Sequence, residues 1–324
     1  MASADRLGIG IYPPTWAVPP DRAAGWDEIQ ELIHRAEAMD VDAIWIPDMF
    51  GYDFWDAWSL VAAVAATTKR VRIGTLVLQA SLRQPALVAR MASTVDEISG
   101  GRLILGLGAG GPDRVAQVLD LPVNRQYGRF EEALRITRTL LRERSIDFRG
   151  AYFQARDATL GPKREGSAGP PIWVAAAGPK MMRLTAQWAD GINFSYPPTI
   201  YIKTPEEARD LNGRLDQICR EVGRSPETLT RMGNALISFA PPDADQSGLR
   251  SHALTGTPRE IAEGLHALHL AGIEHLWCAI DAPEGSGPME AYPLTSMAGL
   301  QALAPVIVEL RRLESSPATP TDSE

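Results

Sequence analysis

The feature that most constrains the fold of this chain is a regular alternation of short apolar runs with longer helical patterns. Eight runs are typical of strands, and each is bounded by turn residues: Leu7–Tyr12, Ala43–Pro47, Arg72–Val77, Leu103–Gly108, Ile172–Ala176, Gly191–Phe194, Asn234–Phe239 and His275–Ile280. The runs are continuously apolar, which indicates parallel strands that are buried on both faces. Eight such strands separated by helices predict a closed (β/α)8 barrel, with a doubly wound open sheet as the alternative.

Helical periodicity fills the intervals between the runs. Trp26–Met39 and Arg129–Arg142 each have apolar residues at helical spacing. The sequence Thr-Pro-Arg-Glu from Thr257 to Glu260 predicts an N-cap, a proline in the first turn and a capping-box glutamate. A last helix is predicted over Thr295–Arg312.

The length of 324 residues suits one barrel of about 250 residues with insertions. It suits two domains of about 150 residues equally well. We expect a single barrel domain over residues 1–313 and a frayed tail, rich in Pro, Ser and Thr, over residues 314–324. Three long connections follow predicted strands at the end where barrel active sites lie: Ser195–Lys203, Pro241–Gly256 and Asp281–Leu294.

The composition argues against several classes of function. The net charge is −8 and there is no long basic block, so we expect no nucleic-acid partner. The longest apolar run, Leu60–Ala66, is too short to cross a membrane, and the first residues have no signal pattern. Two cysteines, Cys219 and Cys278, are too few for a disulfide framework and lack metal-ligand spacing. We therefore expect a cytoplasmic protein.

A glycine-rich segment follows the fourth predicted strand. Gly106, Gly108 and Gly111 match the G-x-G-x-x-G spacing of dinucleotide-binding proteins. The helical stretch over residues 112–119 is too short for that motif, and Glu131 lies inside a helical pattern instead of ending a strand. The glycines are better explained by close approach of the backbone to a neighbour or ligand at a strand end.

A second segment, Ala175-Ala-Ala-Gly178-Pro179-Lys180, joins the fifth predicted strand to a helix. Backbone N–H groups and the helix dipole would bind a phosphate there, and Lys180 and Arg183 would add positive charge. An ordinary tight turn is the alternative interpretation.

Acidic and aromatic residues follow other strands. Asp48 ends the second strand and is a candidate for lining a site, whereas Asp56 is better placed as a helix N-cap. Five aromatic residues at or after strand ends would together form an apolar pocket for a planar ligand, although each alone is as often a core residue: Trp16, Phe50, Trp55, Phe194 and Tyr196.

Glu263, His266 and His269 recur every three residues, a spacing that metal ligands also have. Their helix belongs outside the barrel, so we interpret them as surface residues and expect no metal. No spacing indicates a Ser-His-Asp or Cys-His arrangement.

Several motifs together resemble the luciferase-like monooxygenase superfamily. They are Asp56-Ala-Trp58-Ser-Leu60, Val71-Arg-Ile-Gly74-Thr75-Leu76-Val77, Arg83-Gln-Pro85, Thr94-Val-Asp96-Glu-Ile-Ser99-Gly-Gly101-Arg102-Leu, Gly106-Leu-Gly108-Ala-Gly110, Pro171-Ile-Trp-Val-Ala-Ala-Ala-Gly178-Pro179 and Ala189-Asp190-Gly191. The resemblance extends over nearly the whole chain, from Leu7 to about Leu313.

This resemblance implies a (β/α)8 barrel that binds FMN or the deazaflavin coenzyme F420, and it suggests a homodimer. In the deazaflavin branch a bulge with a non-proline cis peptide backs the central ring, and by position this falls on Leu76–Val77. The cofactor phosphate of the family would lie at the turn of Ala176, Ala177 and Gly178.

Two positions depart from relatives that oxidise hydroxyl groups. Met49 stands where sugar-phosphate and alcohol dehydrogenases of the deazaflavin branch have histidine, and Gly111 stands where the sugar-phosphate enzymes have glutamate. Oxidation of a hydroxyl group needs a base. Reduction of a polarised double bond, or oxygenation through a reduced flavin, depends less on proton transfer by side chains, because the cofactor supplies most of the chemistry.

The resemblance and the motifs together suggest an F420-dependent oxidoreductase that transfers hydride between the deazaflavin and a largely apolar substrate. The alternatives are an FMN-dependent monooxygenase and a non-catalytic flavin-binding barrel. The expected cofactor-binding residues are Asp48, Leu76, Val77, Gly108, Ala176, Ala177, Gly178 and Lys180. Lys180, Arg183 and Lys203 would meet the anionic tail of F420. The expected substrate pocket is formed by Trp16, Phe50, Trp55 and Tyr196, and Asp53 is the nearest candidate for a catalytic acid.

We therefore predict that this protein does not oxidise glucose 6-phosphate or simple alcohols, because Met49 and Gly111 replace the proton-handling residues. The measurement is the absorbance of oxidised F420 mixed with the protein and each compound. Robust reduction of the cofactor by either compound would contradict the prediction.

Overall fold

The structure, a computed structural model, describes residues 6–15, 24–49, 55–110, 125–195, 200–241, 248–283 and 295–315. Its strands are β1 (Gly8–Ile11), β2 (Ala43–Ile46), β3 (Arg72–Thr75), β4 (Leu78–Gln79), β5 (Leu103–Gly108), β6 (Ser145–Arg149), β7 (Gln154–Thr159), β8 (Ile172–Ala176), β9 (Gly191–Phe194), β10 (Thr230–Ser238) and β11 (His275–Asp281). Its helices are α1 (Trp26–Ala38), α2 (Ala57–Thr67), α3 (Pro85–Ser99), α4 (Gln126–Glu143), α5 (Pro179–Trp188), α6 (Pro205–Glu221), α7 (Pro258–Leu270) and α8 (Met297–Ser315).

The parallel strands close into a barrel because β3 pairs with β5 as well as with β2. Around the barrel the order is β1, β2, β3, β5, β8, β9, β10 and β11, and β11 pairs with β1. The eight predicted strands are confirmed, and three of them have the predicted bounds. Closure excludes the open-sheet alternative. β4 follows the cis peptide Leu76–Val77 and pairs with β5.

The structure has an antiparallel hairpin, formed by β6 and β7, that the sequence analysis did not predict. It lies in sequence between α4 and β8. Ile146 and Phe148 are half-buried against the core, while the residues on either side of them are exposed. This alternation with a period of two is the strand signal that the sequence contained.

Large aromatic side chains fill the barrel interior opposite glycines. A Cβ atom added at Gly10 or Gly74 would overlap the indole of Trp45. The ring centroids of Trp45 and Trp173 lie 5.6 Å apart, and those of Trp173 and His275 lie 4.9 Å apart. Glycines on the strands beside Trp45 therefore make the room that a close-packed interior of this kind needs.

Two helix starts have the predicted capping interactions. Thr257 accepts a hydrogen bond from the N–H of Glu260, and the Glu260 carboxylate accepts one from the N–H of Thr257 at 2.7 Å. The capping box of α7 is therefore confirmed. Asp56 caps α2 by accepting a hydrogen bond of 2.8 Å from the N–H of Ser59.

The residues with apparent metal-ligand spacing lie on α7. Glu263 forms an ion pair with Arg259 at 2.9 Å, and a ring nitrogen of His269 lies 2.8 Å from the carbonyl oxygen of Ile273. Within the described ranges, no group of three or more His, Cys, Asp or Glu residues is arranged to hold a metal ion. No helix among these residues has the length and apolar character needed to cross a membrane.

His275 generates a prediction about stability and pH. Burial lowers the pKa of His275 to about 4, and the positive charge of Arg72 acts in the same direction. In the unfolded chain a histidine titrates near 6.5. Between these two values the unfolded chain binds a proton that the folded chain does not bind, so the free energy of unfolding falls as the pH falls.

We expect His275 to account for a loss of about 3 kcal/mol between pH 7 and pH 4. Urea unfolding of the His275→Leu variant should show a shallower pH dependence by that amount. The same change at the exposed His34 is the matched control. Equal pH dependence in the wild type and His275→Leu would show that the histidine is not buried in its neutral form.

Candidate cofactor and substrate site

Three predicted site segments lie at the rim formed by the carboxyl ends of the strands. Gly108 ends β5, Ala176 ends β8, and Asp48 follows β2. β5 pairs with β4 on one side, through Gln79 and Gly108, and with β8 on the other. Segments far apart in sequence therefore become neighbours along one rim, where barrel active sites lie.

Asp48 is buried and fully engaged by protein groups. The Arg83 guanidinium donates to both carboxylate oxygens, at 2.7 and 2.9 Å, and the N–H of Gln79 donates at 2.9 Å. Burial raises the pKa of Asp48, and the charge of Arg83 opposes that shift. Asp48 thus holds the start of the segment after β4 against the end of β2.

The side-chain amide of Gln79 has its nitrogen in use and its oxygen without a donor among the described residues. Its Nε2 donates to the carbonyl oxygen of Asp48 at 2.8 Å, which fixes the orientation of the amide. Its Oε1 is buried and has no hydrogen-bond partner among the residues that the structure describes. The side chain is 7% exposed and lies against Gly110, where an added Cβ atom would be 2.9 Å from Oε1. A buried acceptor of this kind costs free energy until a donor reaches it.

The cis peptide between Leu76 and Val77 lies beside Gly108 and Tyr12. The Tyr12 hydroxyl donates to the carbonyl oxygen of Leu76 at 2.5 Å. A Cβ atom at Gly108 would lie 2.5 Å from Cγ2 of Val77. The close backbone approach inferred from the glycine-rich segment is thus accounted for, at Gly108, by a neighbouring side chain within the protein.

The turn from Ala176 to Gly178 leads directly into α5, with Pro179 at its first position. Gly178 is extended, and a Cβ atom added there would meet no atom of the described residues within 4 Å. No side chain in the described part of the chain caps the helix, so its first N–H groups are left without a side-chain acceptor there. The turn therefore has the open space and the unpaired donors of an anion site.

Of the three cations expected near the cofactor tail, Lys180 alone has no oxygen partner among the described residues. Its ammonium lies 5.2 Å from the ring centroid of Tyr127, at the start of α4. Arg183 pairs with Glu221, and Lys203 donates to the carbonyl oxygen of Ser251 at 2.8 Å.

The start of α4 contains two further donors near Lys180. Nε2 of Gln126 and Nε of Arg129 are buried atoms without a hydrogen-bond partner in the described chain. The Arg129 guanidinium lies 5.2 Å from the ring centroid of Tyr152. Both residues belong to the same helix start as Tyr127, the ring that Lys180 contacts.

Three of the four residues of the expected substrate pocket lie outside the described residues, namely Trp16, Phe50 and Tyr196. Asp53, the candidate catalytic acid, also lies outside them. Trp55 lies among the described residues and is 40% exposed. Its backbone N–H donates to the carbonyl oxygen of Thr15 at 3.0 Å. The segments after β1 and β2 are therefore adjacent at this point. Phe194 is buried in the core.

The sequence analysis did not identify two buried polar groups on β9, β10 and β11. Asp281 is buried and accepts hydrogen bonds of 2.6 Å from both Ser238 Oγ and Arg250 Nε. Asn193 and Asn234 form another buried pair, with 2.8 Å between the amide groups. The sequence signal that could have identified them is the presence of polar residues inside otherwise apolar strands. Asp281 and the Asn193–Asn234 pair each hold a segment at the rim in place.

Comparisons with known proteins place this architecture among characterised enzymes. A family model described as luciferase-like monooxygenase matches residues 9–246. A 5,10-methylenetetrahydromethanopterin reductase of Archaeoglobus fulgidus is 30% identical over 246 residues, which cover 73% of this chain and 69% of the relative. An F420-dependent glucose-6-phosphate dehydrogenase of Amycolatopsis mediterranei is 31% identical over about half of each chain (51% and 52%).

Solved structures share the fold at lower sequence identity. An F420-dependent secondary alcohol dehydrogenase in complex with an F420-acetone adduct has a TM-score of 0.75 at 20% identity, over 94% of this chain and 99% of the other. The oxygenating constituent of 3,6-diketocamphane monooxygenase from Pseudomonas putida, in complex with FMN, has a TM-score of 0.68 at 16% identity, over 94% and 97%. The same barrel thus accommodates either cofactor in other proteins.

The pairing of Asp48 with Arg83 generates a prediction. Removal of Arg83 leaves a buried carboxylate unpaired, so we expect Arg83→Met to lower the free energy of unfolding by about 3–5 kcal/mol. The Asp48→Asn, Arg83→Met double variant should lose less than the sum of the two single variants, because the asparagine amide is uncharged and still offers an acceptor to the N–H of Gln79. Urea unfolding of all four proteins measures this coupling, and additive losses would contradict it.

Proposed function

The chain belongs to the luciferase-like monooxygenase family, and within that family we propose that it is an oxidoreductase that binds coenzyme F420. It transfers hydride between the reduced deazaflavin and a largely apolar small molecule. The observation that most strongly supports binding of a cofactor with a phosphate group is the turn from Ala176 to Gly178, which is open, without a side-chain cap in the described chain, and followed by Lys180. Such a helix start binds the phosphate group that both F420 and FMN contain.

The ring system would lie against Leu76 and Val77. Tyr12 holds the carbonyl oxygen of Leu76, and Gly108 leaves room for Val77. Oε1 of Gln79 has no donor among the described residues and is free to accept a hydrogen bond, and the pyrimidine ring of a flavin or deazaflavin has an N–H group of the complementary kind. Asp48 contributes indirectly, since it fixes Gln79 and Arg83.

The choice of F420 over FMN rests on charge and on the relatives. F420 has an anionic tail beyond its phosphate. Lys180 places a positive charge beside the turn, and the helix start that it contacts has two donors, on Gln126 and Arg129, without a partner among the described residues. A relative at 31% identity is F420-dependent. FMN-dependent oxygenation is the second candidate, because a protein with the same fold binds FMN.

When bound, the deazaflavin supplies the hydride chemistry. The residues of this chain bind the phosphate, orient the ring and shape the substrate side. Met49 offers no proton donor after β2. We assign the substrate side to Trp16, Phe50, Trp55 and Tyr196, and we name Asp53 as the group that would handle a proton.

Gly178 tests the phosphate assignment. Gly178→Asp should weaken F420 binding at least tenfold, or by ~1.4 kcal/mol, because its carboxylate would face the phosphate. Open space around Gly178 means that the side chain itself fits. Gly178→Asn is therefore the matched control, with the same shape and no charge, and it should weaken binding much less.

Titrations of the absorbance and fluorescence of F420 measure these affinities, with FMN titrated in parallel. Equal affinities of folded wild type and Gly178→Asp would place the phosphate elsewhere. Binding of FMN without binding of F420 would instead support the monooxygenase.

Trp55 tests the substrate side. In Trp55→Ala we expect kcat/KM with an accepted substrate to fall by an amount equivalent to about 1–3 kcal/mol. Because Trp55 is 40% exposed, the melting temperature should change little. Cofactor affinity should also change little, since the phosphate and ring contacts are assigned to other strands. A large loss of stability with unaltered kcat/KM would end this assignment.

A further inference from the structure

A second concave surface lies on the outside of the barrel, among α4, α5 and α6. It is a groove of about 620 Å³ lined by Glu131, Arg135, Arg138, Ala186, Gln187, Trp188, Val222, Gly223 and Arg224. The last residues of α5 and the turn after α6 precede β9 and β10 in the chain. The groove is therefore at the opposite end of these helices from the turn at Gly178.

The groove has an excess of positive charge in a chain whose net charge is −8. Arg138 and Arg142 share one carboxylate, that of Asp190, at 3.2 and 2.6 Å. Within the described ranges Arg224 donates to neutral oxygens alone, among them the carbonyl oxygens of Ala186 and Ala189 at 3.0 and 2.7 Å. No carboxylate partner of Arg135 is found among the described residues.

Arg135 is nevertheless held in place. Its guanidinium lies 5.5 Å from the ring centroid of Phe148 and 5.5 Å from that of Trp188. Contacts of this kind orient a guanidinium without neutralising it. A cation that is already ordered loses little side-chain entropy when it binds an anion.

Arg138 and Arg224 repel each other across the groove. Burial lowers the pKa of Arg224, and the charge of Arg138 acts in the same direction, while Asp190 opposes them. Helix carboxyl ends normally disfavour anions. Here the Arg224 guanidinium covers carbonyl oxygens at the end of α5 and offsets their negative partial charge. Among the described residues of the groove, Arg135 is the guanidinium whose contacts are with rings, so its N–H groups would meet the anion.

We propose that this groove binds a small oxyanion that has a phosphate group, at a site separate from the cofactor site. The planar fork of a guanidinium matches phosphate oxygens. A volume of about 620 Å³ suits a small molecule, and the ring of Trp188 forms one wall. Glu131 at the edge opposes the anion and limits its affinity.

Pyrophosphate is the probe, titrated by calorimetry and tryptophan fluorescence at constant ionic strength. Arg135→Gln should weaken binding about fivefold or more, because it removes one charge-assisted contact. Glu131→Gln should tighten binding about twofold to threefold, because it removes a repelling charge. Arg209→Gln, an exposed change on α6 outside the groove, is the matched control and should leave affinity unchanged.

Two further variants locate the ion. Trp188→Phe should abolish most of the fluorescence change and retain calorimetric binding. Gly178→Asp, which blocks the cofactor turn, should leave the fluorescence change and its midpoint unaltered. Equal affinity in wild type, Arg135→Gln and Glu131→Gln would mean an adventitious ion only and would overturn the proposal. Loss of the fluorescence change in Gly178→Asp alone would assign the ion to the cofactor turn and would also overturn it.

Discussion

Closure of the barrel is the constraint on which the rest of the structure depends. Eight parallel strands that close on themselves bring their carboxyl ends to one rim, so Asp48, Gly108 and Ala176 become neighbours. A closed barrel must also be filled. Trp45 and Trp173 do this because glycines on adjacent strands leave room for their rings. Packing inside the barrel and the position of the site thus have a common origin.

The polar groups of the rim divide into those that are satisfied within the protein and those that are not. Asp48 with Arg83, and Asp281 with Arg250, are buried pairs that hold segments in place. In contrast, the N–H groups at the start of α5 have no side-chain cap, and Oε1 of Gln79 has no donor among the described residues. Unsatisfied groups beside an open turn are what a ligand with a phosphate and a heterocyclic N–H would satisfy.

The sequence was sufficient where the signal is local. Continuous apolar runs predict the strands, and Thr257 with Glu260 predicts a capping box, because both depend on residues close in the chain. The pairing of Asp48 with Arg83 joins residues 35 positions apart and depends on the closed barrel. The orientation of the Gln79 amide depends on the same closure. The hairpin of β6 and β7 had a weak alternating signal that was overlooked, and much of the expected substrate pocket lies outside the described residues.

The most direct test of the central claim is a crystal structure of the protein with F420 bound. The account predicts phosphate oxygens within hydrogen-bond distance, about 3 Å, of backbone N–H groups at Gly178 and the first turn of α5. It predicts the ring system against Leu76 and Val77, with a donor on Oε1 of Gln79. A phosphate bound at another strand end, with the turn at Gly178 occupied only by water, would contradict the account.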